Sequence, residues 1–378
     1  DIHAEGILIP PVKLYEKGKP RDDIFRFIAS NVRRPDWQRQ DISAIIGALK
    51  VCERRIVELF DRYGEEKVRG CFEVMIEGSE RAMRDEIEKI PDGLYTGTNT
   101  VDNDGNTPEP VRVNVTVKVQ GSDIIVDFTG SDKQRKFVNT PLMNTLATVY
   151  YSVFVTIAPH LMHNEGCYRP IQVIAPKGTW VNPTYPATAN CCTNVTSSSI
   201  ANAIFMALAK AVPEKTCAMW AAESTGIISG YDPRIGNDLY LCLDFSYNGG
   251  EGAKMGYDGF HHLSPLECGG VILKETVEMK EINYPWLNSR YELWTDSAGA
   301  GKWRGGLGVI ETRVNLGSDP TIESNVGSNA KPTSQPLGHS GGKPAALTEY
   351  YVVRKDSGER VSLAGNFIIQ DFPGDIIE

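Results

Sequence analysis

Residues 111–128 read VRVNVTVKVQGSDIIVDF: valines at 111, 113, 115, 117 and 119 alternate with polar residues, Gly121-Ser122-Asp123 interrupts, and Ile124 to Phe128 runs back. Successive side chains of a strand point to opposite faces, so this alternation buries one face and wets the other. The Gly-Ser-Asp break supplies the turn. The stretch predicts an antiparallel hairpin with one buried face.

Upstream of it the period changes. Trp37, Ile42, Ile45, Ile46, Leu49, Cys52, Ile56, Leu59, Phe60 and Tyr63 recur close to the helical repeat, and Gly64 stands where a helix would stop. Val68, Cys71, Phe72, Met75, Ile76, Met83 and Ile87 carry a second stripe from about Glu65 to Lys89, closed by Pro91-Asp92-Gly93. Arg and Glu fill the other faces, and the pattern predicts a long antiparallel helix pair. Downstream, Pro141 to Ile157 and Thr196 to Val212 predict two more helices. Beyond Cys217, short β-type runs such as LYLCLDFSY, RYELW, VIETRVNL, TEYYVVR and SLAGNFII are separated by glycine. Separate helical and β runs without a regular strand–helix–strand cadence predict an α+β fold: a long N-terminal helix pair, then mixed or antiparallel sheets with packed helices and Gly-rich loops. Three regions follow: helical 1–93, α+β 94–215 and β-rich 216–378.

The 378 residues carry 39 Lys and Arg against 48 Asp and Glu, a net charge of −9. No basic block is present to neutralise phosphates, which argues against a nucleic-acid partner. No run approaches the roughly 18 apolar residues of a membrane span. The eight cysteines lie inside apolar segments and form no C-x-x-C pair, as expected of reduced thiols in a cytoplasmic protein.

Five groupings could carry chemistry. The loop Asp296 to Gly306, DSAGAGKWRGG, tempts a phosphate interpretation, but Trp303 follows the lysine and the Walker spacing fails; a turn network with Asp296 paired to Arg304 is the plainer alternative. His160, His163 and Cys167, and separately His261, His262, Glu267 and Cys268, have spacings compatible with metal ligands, with capped loop histidines and core thiols as the alternative. Glu251 and Asp258 share the loop YNGGEGAKMGYDGFHH and could do acid–base work or merely cap turns. Cys192, just ahead of the helix opening at Thr196, is a candidate nucleophile.

Five segments, in order, carry a more specific signal: EGILIPPVKLYEKGK, NVRRPDWQRQDISAIIGALKVCERRIVELFDRYG, NEGCYRPIQVIAPKGTWVNPTYPA, GGEGAKMGYDG and DSAGAGKWRGGLG. Together they resemble signatures of the hydantoinase-B family, which includes N-methylhydantoinase, the matching half of 5-oxoprolinase, and large subunits of acetone and acetophenone carboxylase. The resemblance runs from Glu5 to about Gly308, and more weakly to the end. It implies an enzyme active only in a hetero-oligomeric complex. An ATP-dependent partner of the hydantoinase-A type phosphorylates a small carbonyl or amide substrate, and the B-type subunit completes hydrolysis of the activated cyclic amide. The alternatives are carboxylation of a ketone, or a noncatalytic scaffold part of either complex.

Asn164, Gly166, Arg169 and Pro170 match the family's N-x-G-x-x-R-P segment. Gly250, Gly252, Asp258 and Gly259 match its G-x-G…D-G loop, and Asp296, Gly301, Arg304, Gly305 and Gly306 match D-S-x-G-A-G-x-x-R-G-G. Among these Asp258, Arg169 and Arg304 are best able to meet an anionic intermediate, with Glu251 beside them. The family's histidine- and aspartate-rich motifs precede the EG-x-x-x-PP segment. A divalent metal, zinc or manganese, is therefore expected mainly on residues outside this chain, and ATP on the partner. Both ends read as the edges of a larger subunit.

Overall fold

The computed structural model describes residues 6–32, 34–189, 192–263, 265–268, 270 and 272–378; Glu5 and Cys191 lie outside the described residues. Contacts group the chain into two units, Asp1–Arg81 with Met162–Cys167, and Ala82–Leu161 with Tyr168–Glu378.

The first unit holds a short hairpin, β1 (Tyr15–Glu16) and β2 (Lys19–Pro20), then α1 (Asp22–Ala29), α2 (Pro35–Tyr63) and most of α3 (Glu65–Ile87). Pro35 opens α2, where its missing N–H costs nothing, and Gly64 closes it at φ +84. The two long helices form as expected, but they do not pack along their lengths. α2 buries no residue, and Trp37, Ile45 and Leu49 are each more than 60% exposed. A helical apolar stripe says that a face seeks cover; it does not say that the next helix provides it. In the same unit Asn164 Oδ1 accepts from the Gly166 N–H at 2.9 Å, and its amide donates to Ser79 Oγ at 2.6 Å. A Cβ on Gly166 would stand 1.9 Å from the Ile76 carbonyl. Two signature residues are thereby explained by backbone packing.

The second unit begins with β3 (Gly93–Val101), β4 (Val111–Gln120) and β5 (Asp123–Asp127). The alternating valines of β4 are at most 2% exposed, as the sequence pattern requires. α4 (Leu142–Ile157) precedes β6 (Ile171–Ile174), which pairs in parallel with β5 and completes the order β3-β4-β5-β6; α5 (Glu165–Tyr168), between them in sequence, belongs to the first unit except for Tyr168. The helix predicted over 196–212 is α6 (Val195–Leu208); it lies across β3 and β4 and against α4. Gly97 permits this approach, because a Cβ there would sit 1.9 Å from the Ala203 carbonyl.

The rest of this unit comprises β7 (Thr225–Asp232), β8 (Asp238–Asp244), α7 (Val277–Asn283), β9 (Trp286–Leu293), β10 (Val309–Asn315), β11 (Thr321–Val326), β12 (Tyr350–Val353), β13 (Arg360–Leu363), β14 (Phe367–Asp371) and β15 (Ile376–Ile377). They form two antiparallel sheets, β14-β11-β7-β8 and β13-β12-β15-β10-β9. The α+β class holds, with mostly antiparallel sheets and one parallel pair. Sequence regions 94–215 and 216–378 both fall in this unit apart from residues 162–167, whereas 1–93 ends a dozen residues beyond the unit boundary.

Candidate functional site

The two glycine-rich loops, 249–262 and 296–308, are laced together by main-chain hydrogen bonds. Gly306 N–H donates to the Glu251 carbonyl at 2.8 Å, Gly259 N–H to Arg304 at 2.8 Å and His262 N–H to Leu307 at 2.8 Å, while Glu251 N–H closes the first loop on the Phe260 carbonyl at 3.0 Å. The approach leaves no space for side chains. A Cβ would fall 2.2 Å from the Gly306 carbonyl at Gly250, 2.2 Å from the Glu251 carbonyl at Gly259 and 1.9 Å from the Phe260 carbonyl at Gly306. These signature glycines therefore serve close packing of two backbones.

The laced loops wall a cavity of about 270 Å³, bordered by Met219, Lys254, Trp294, Leu337 and His339. A second cavity of about 230 Å³ shares Ala221, Gly249, Trp294, Gly308 and Thr348 with it, and reaches Tyr247, Glu311, Arg313, Glu323 and Tyr350. Small-molecule sites have this combination of concavity and few polar groups.

Three of the four residues singled out in the sequence meet at these loops. Asp258 Oδ1 accepts from the Arg304 N–H at 2.8 Å, and both side chains are exposed. Glu251 lines the first cavity; its Oε2 accepts from the Phe260 N–H at 3.1 Å, and burial raises its carboxyl above the ordinary range. Arg169 stands apart, exposed just ahead of β6 and outside the lining of both cavities. No ion pair joins Asp296 to Arg304 among the described residues; the Arg304 main chain is held by Asp258 instead.

The candidate metal groupings do not converge. No three His, Cys, Asp or Glu come together as a ligand set among the described residues. His261 Nδ1 accepts from the Leu307 N–H at 3.0 Å. His262 lies within hydrogen-bond reach of the Asn248 carbonyl at 2.7 Å through Nδ1, and of Tyr291 Oη at 2.7 Å and Lys274 Nζ at 3.0 Å through Nε2. Burial pushes His262 down to about 4 and Lys274 down to about 8. Both histidines therefore brace loops, and the described residues do not fit a zinc or manganese centre. Cys192 lies ahead of α6, where its carbonyl accepts from Thr196 Oγ1 at 2.9 Å and Ser197 Oγ at 2.7 Å; its thiol is free.

Sequence reasoning missed a buried ionic cluster beneath the second cavity. Lys280 Nζ contacts both Asp244 carboxylate oxygens at 2.8 Å, Glu311 Oε1 at 2.9 Å and Ser246 Oγ at 2.5 Å. Arg313 donates to Glu323 and, at 2.7 Å, to Tyr247 Oη, with its guanidinium 4.5 Å from the Trp286 ring centre. Burial opposes the Asp244 charge, but Lys280 and Arg313 overcome it and hold Asp244 low. Glu311, buried beside Asp244, is pushed up. The alternation of Glu311 and Arg313 along β10 was the available signal, since it places both on one face.

The family profile described as hydantoinase B/oxoprolinase matches residues 1–378. The chain is 36% identical to the beta subunit of a caprolactamase from Pseudomonas jessenii, over 84% of this chain and 54% of that one. It is 33% identical, over 82% and 53%, to a protein of Pseudomonas sp. (strain NS671) assigned provisionally as the B subunit of a D-/L-hydantoinase. Its identity to the acetophenone carboxylase delta subunit of Aromatoleum aromaticum is 28%, over 82% and 46%. The crystal structure of the ATP-dependent caprolactamase from P. jessenii superposes with a TM-score of 0.89 at 30% identity, covering 100% of this chain and 66% of that one. The chain thus spans about half the length of the curated relatives it matches. It belongs to the hydantoinase B/oxoprolinase family.

Proposed function

We propose that the chain is the B-type part of an ATP-dependent hydantoinase/5-oxoprolinase-type complex, completing hydrolysis of a cyclic amide that a hydantoinase-A-type partner has activated by phosphorylation. The identity of 36% to the beta subunit of a caprolactamase carries this reading. The glycine-walled cavity supports it, because it offers a confined space with Glu251 on its border and Asp258 and Arg304 on the same loops. In this proposal Glu251, whose carboxyl burial raises above its ordinary range, supplies a proton to the departing nitrogen. Arg304 meets the anionic oxygen of the activated substrate, with Asp258 fixing its main chain. Arg169 enters only as a second anion contact, approached from outside this cavity. ATP is used on the partner.

Cytoplasmic location is part of the same proposal, supported by seven free cysteines among the described residues. No described helix is long and apolar enough to cross a membrane. Ketone carboxylation is the competing reaction, since a carboxylase subunit is among the relatives. The assembled complex, given ATP and in turn caprolactam, hydantoins, 5-oxoproline, acetone and acetophenone, separates the two. Ring opening without bicarbonate is expected; ATP turnover that requires bicarbonate and a ketone overturns the hydrolase reading.

A further inference from the structure

The apolar face of α2 repeats at a stricter interval than a surface helix needs. Ile42, Leu49 and Ile56 stand seven residues apart, and so do Ile45, Cys52 and Leu59. These are the a and d positions of a heptad, the pattern of a coiled-coil seam and not of a helix lying on a broad core. At ~1.5 Å per residue the seam is roughly 27 Å long. It is uncovered: Ile45, Leu49, Cys52, Ile56 and Leu59 are exposed, and Ile42 is half-buried. What α2 touches in its own unit lies beside the seam, where Lys50 meets the Tyr15 ring at 5.3 Å and Arg69 of α3 meets the Phe60 ring at 5.8 Å.

The charges at the margins indicate what covers it. With Ile42 at position a, Asp41 and Arg62 fall at g positions near opposite ends of the helix. Neither forms an ion pair among the described residues; Arg62 only lies against the Tyr63 ring at 5.1 Å. In an antiparallel pair of such helices each a residue faces a d residue of the other, and g positions face g positions. Laid antiparallel on a second copy with Leu49 opposite Cys52, α2 sets Ile42 opposite Leu59 and Ile45 opposite Ile56, so every seam residue meets an apolar one. The same register sets Asp41 opposite Arg62, twice by symmetry, while Arg55 faces Ala48 and Glu53 faces Ile46; no like charges meet. A parallel pair would face Asp41 with Ile46, Ala48 with Glu53 and Arg55 with Phe60, and would match no charge. The antiparallel solution is self-complementary about a two-fold axis, as the commonest oligomers are.

We propose that α2 is a dimerisation element, pairing antiparallel with α2 of a second copy of this chain through the seam at 42–59 and two Asp41–Arg62 ion pairs. Three observations carry it together: the heptad, its exposure, and two unpaired charges that match only in this register. The chain would then enter its hetero-oligomer in pairs. The inference does not rest on the proposed reaction.

Sedimentation equilibrium of the full chain tests it. At tens of micromolar the wild type is expected to be a dimer and Leu49→Lys a monomer. The far-UV circular dichroism of the two should agree, because α2 has no buried residue for the substitution to disturb. Asp41→Arg and Arg62→Asp should each weaken the dimer about ten-fold, since two ion pairs give way to repulsion. Combining them swaps the charges and should restore wild-type affinity. The register is checked with Leu49→Cys: mild oxidation should join position 49 to Cys52 of the second copy, in the chain alone and in the assembled complex, as identified by peptide mass. A monomeric wild type, a dimer that survives Leu49→Lys, a double variant no tighter than either single one, or a crosslink from position 49 to a different subunit each overturns the proposal.

Discussion

Lys280 is the residue on which the buried charge most depends. It is 3% exposed, and its ammonium group separates Asp244 from Glu311. Such a cluster contributes little net stability when complete, because desolvation offsets attraction, but removing one member leaves the others uncompensated. Replacing Lys280 by Met keeps the length of the side chain and removes only the charge. Urea unfolding near neutral pH is expected to show a loss of about 3–5 kcal/mol. A loss below about 1 kcal/mol, the range of exposed ion pairs, would mean that the carboxylates find water or a proton instead.

Among the elements, glycines test which packing is tight. Gly97 of β3 carries α6, and a Cβ there meets the Ala203 carbonyl; Gly70, inside α3, has nothing within 4 Å. Gly97→Ala is therefore expected to cost about 1–3 kcal/mol by overpacking. Gly70→Ala is expected to stabilise by about 1 kcal/mol by restricting the unfolded chain. Opposite signs in thermal unfolding of the two variants are the check. The same contrast separates what was legible in the sequence from what was not. The β4–β5 hairpin, α2 and α3 follow from periodicity, since each has a repeated apolar face, and α4 from the apolar stretch over 141–157. β3 does not, because GLYTGTNTV owes its burial to a helix arriving from more than a hundred residues away. The site was legible only as far as its loops. Glycine clusters and the Asp258 and Arg304 signatures marked it, but the cluster of Asp244, Lys280, Glu311, Arg313 and Glu323 was not visible. Its five members come from four elements, and the Glu-Thr-Arg alternation that two of them share reads locally as a strand's wet face until a second sheet covers it.

For the whole molecule, buried acids couple folding to pH. Asp371 is fully buried with neither carboxyl oxygen hydrogen-bonded among the described residues, and burial raises it to about 7. A carboxyl raised on folding binds its proton more tightly in the folded state. Stability is then greatest below the unfolded pKa near 4 and declines as pH climbs towards the folded value, levelling beyond it. Asp371 alone contributes a decline of up to about 1.4 kcal/mol per pH unit in that interval. Asp371→Asn should flatten the stability profile between about pH 4 and pH 7; an unchanged slope would show that this carboxyl is ionised in the folded state.

The laced loops have a consequence for how such a pocket diversifies. Where Gly250, Gly259 and Gly306 meet, the wall is main chain, chemically identical whatever residues surround it. Selection for a new substrate has little to alter there without parting the loops. On the proposed function, discrimination between ring sizes and polarities falls to the few side chains that line the cavity, Met219, Trp294 and Leu337 among them. A wall divided in this way, a backbone cup with side chains at its margin, lets one architecture change clients by a handful of substitutions.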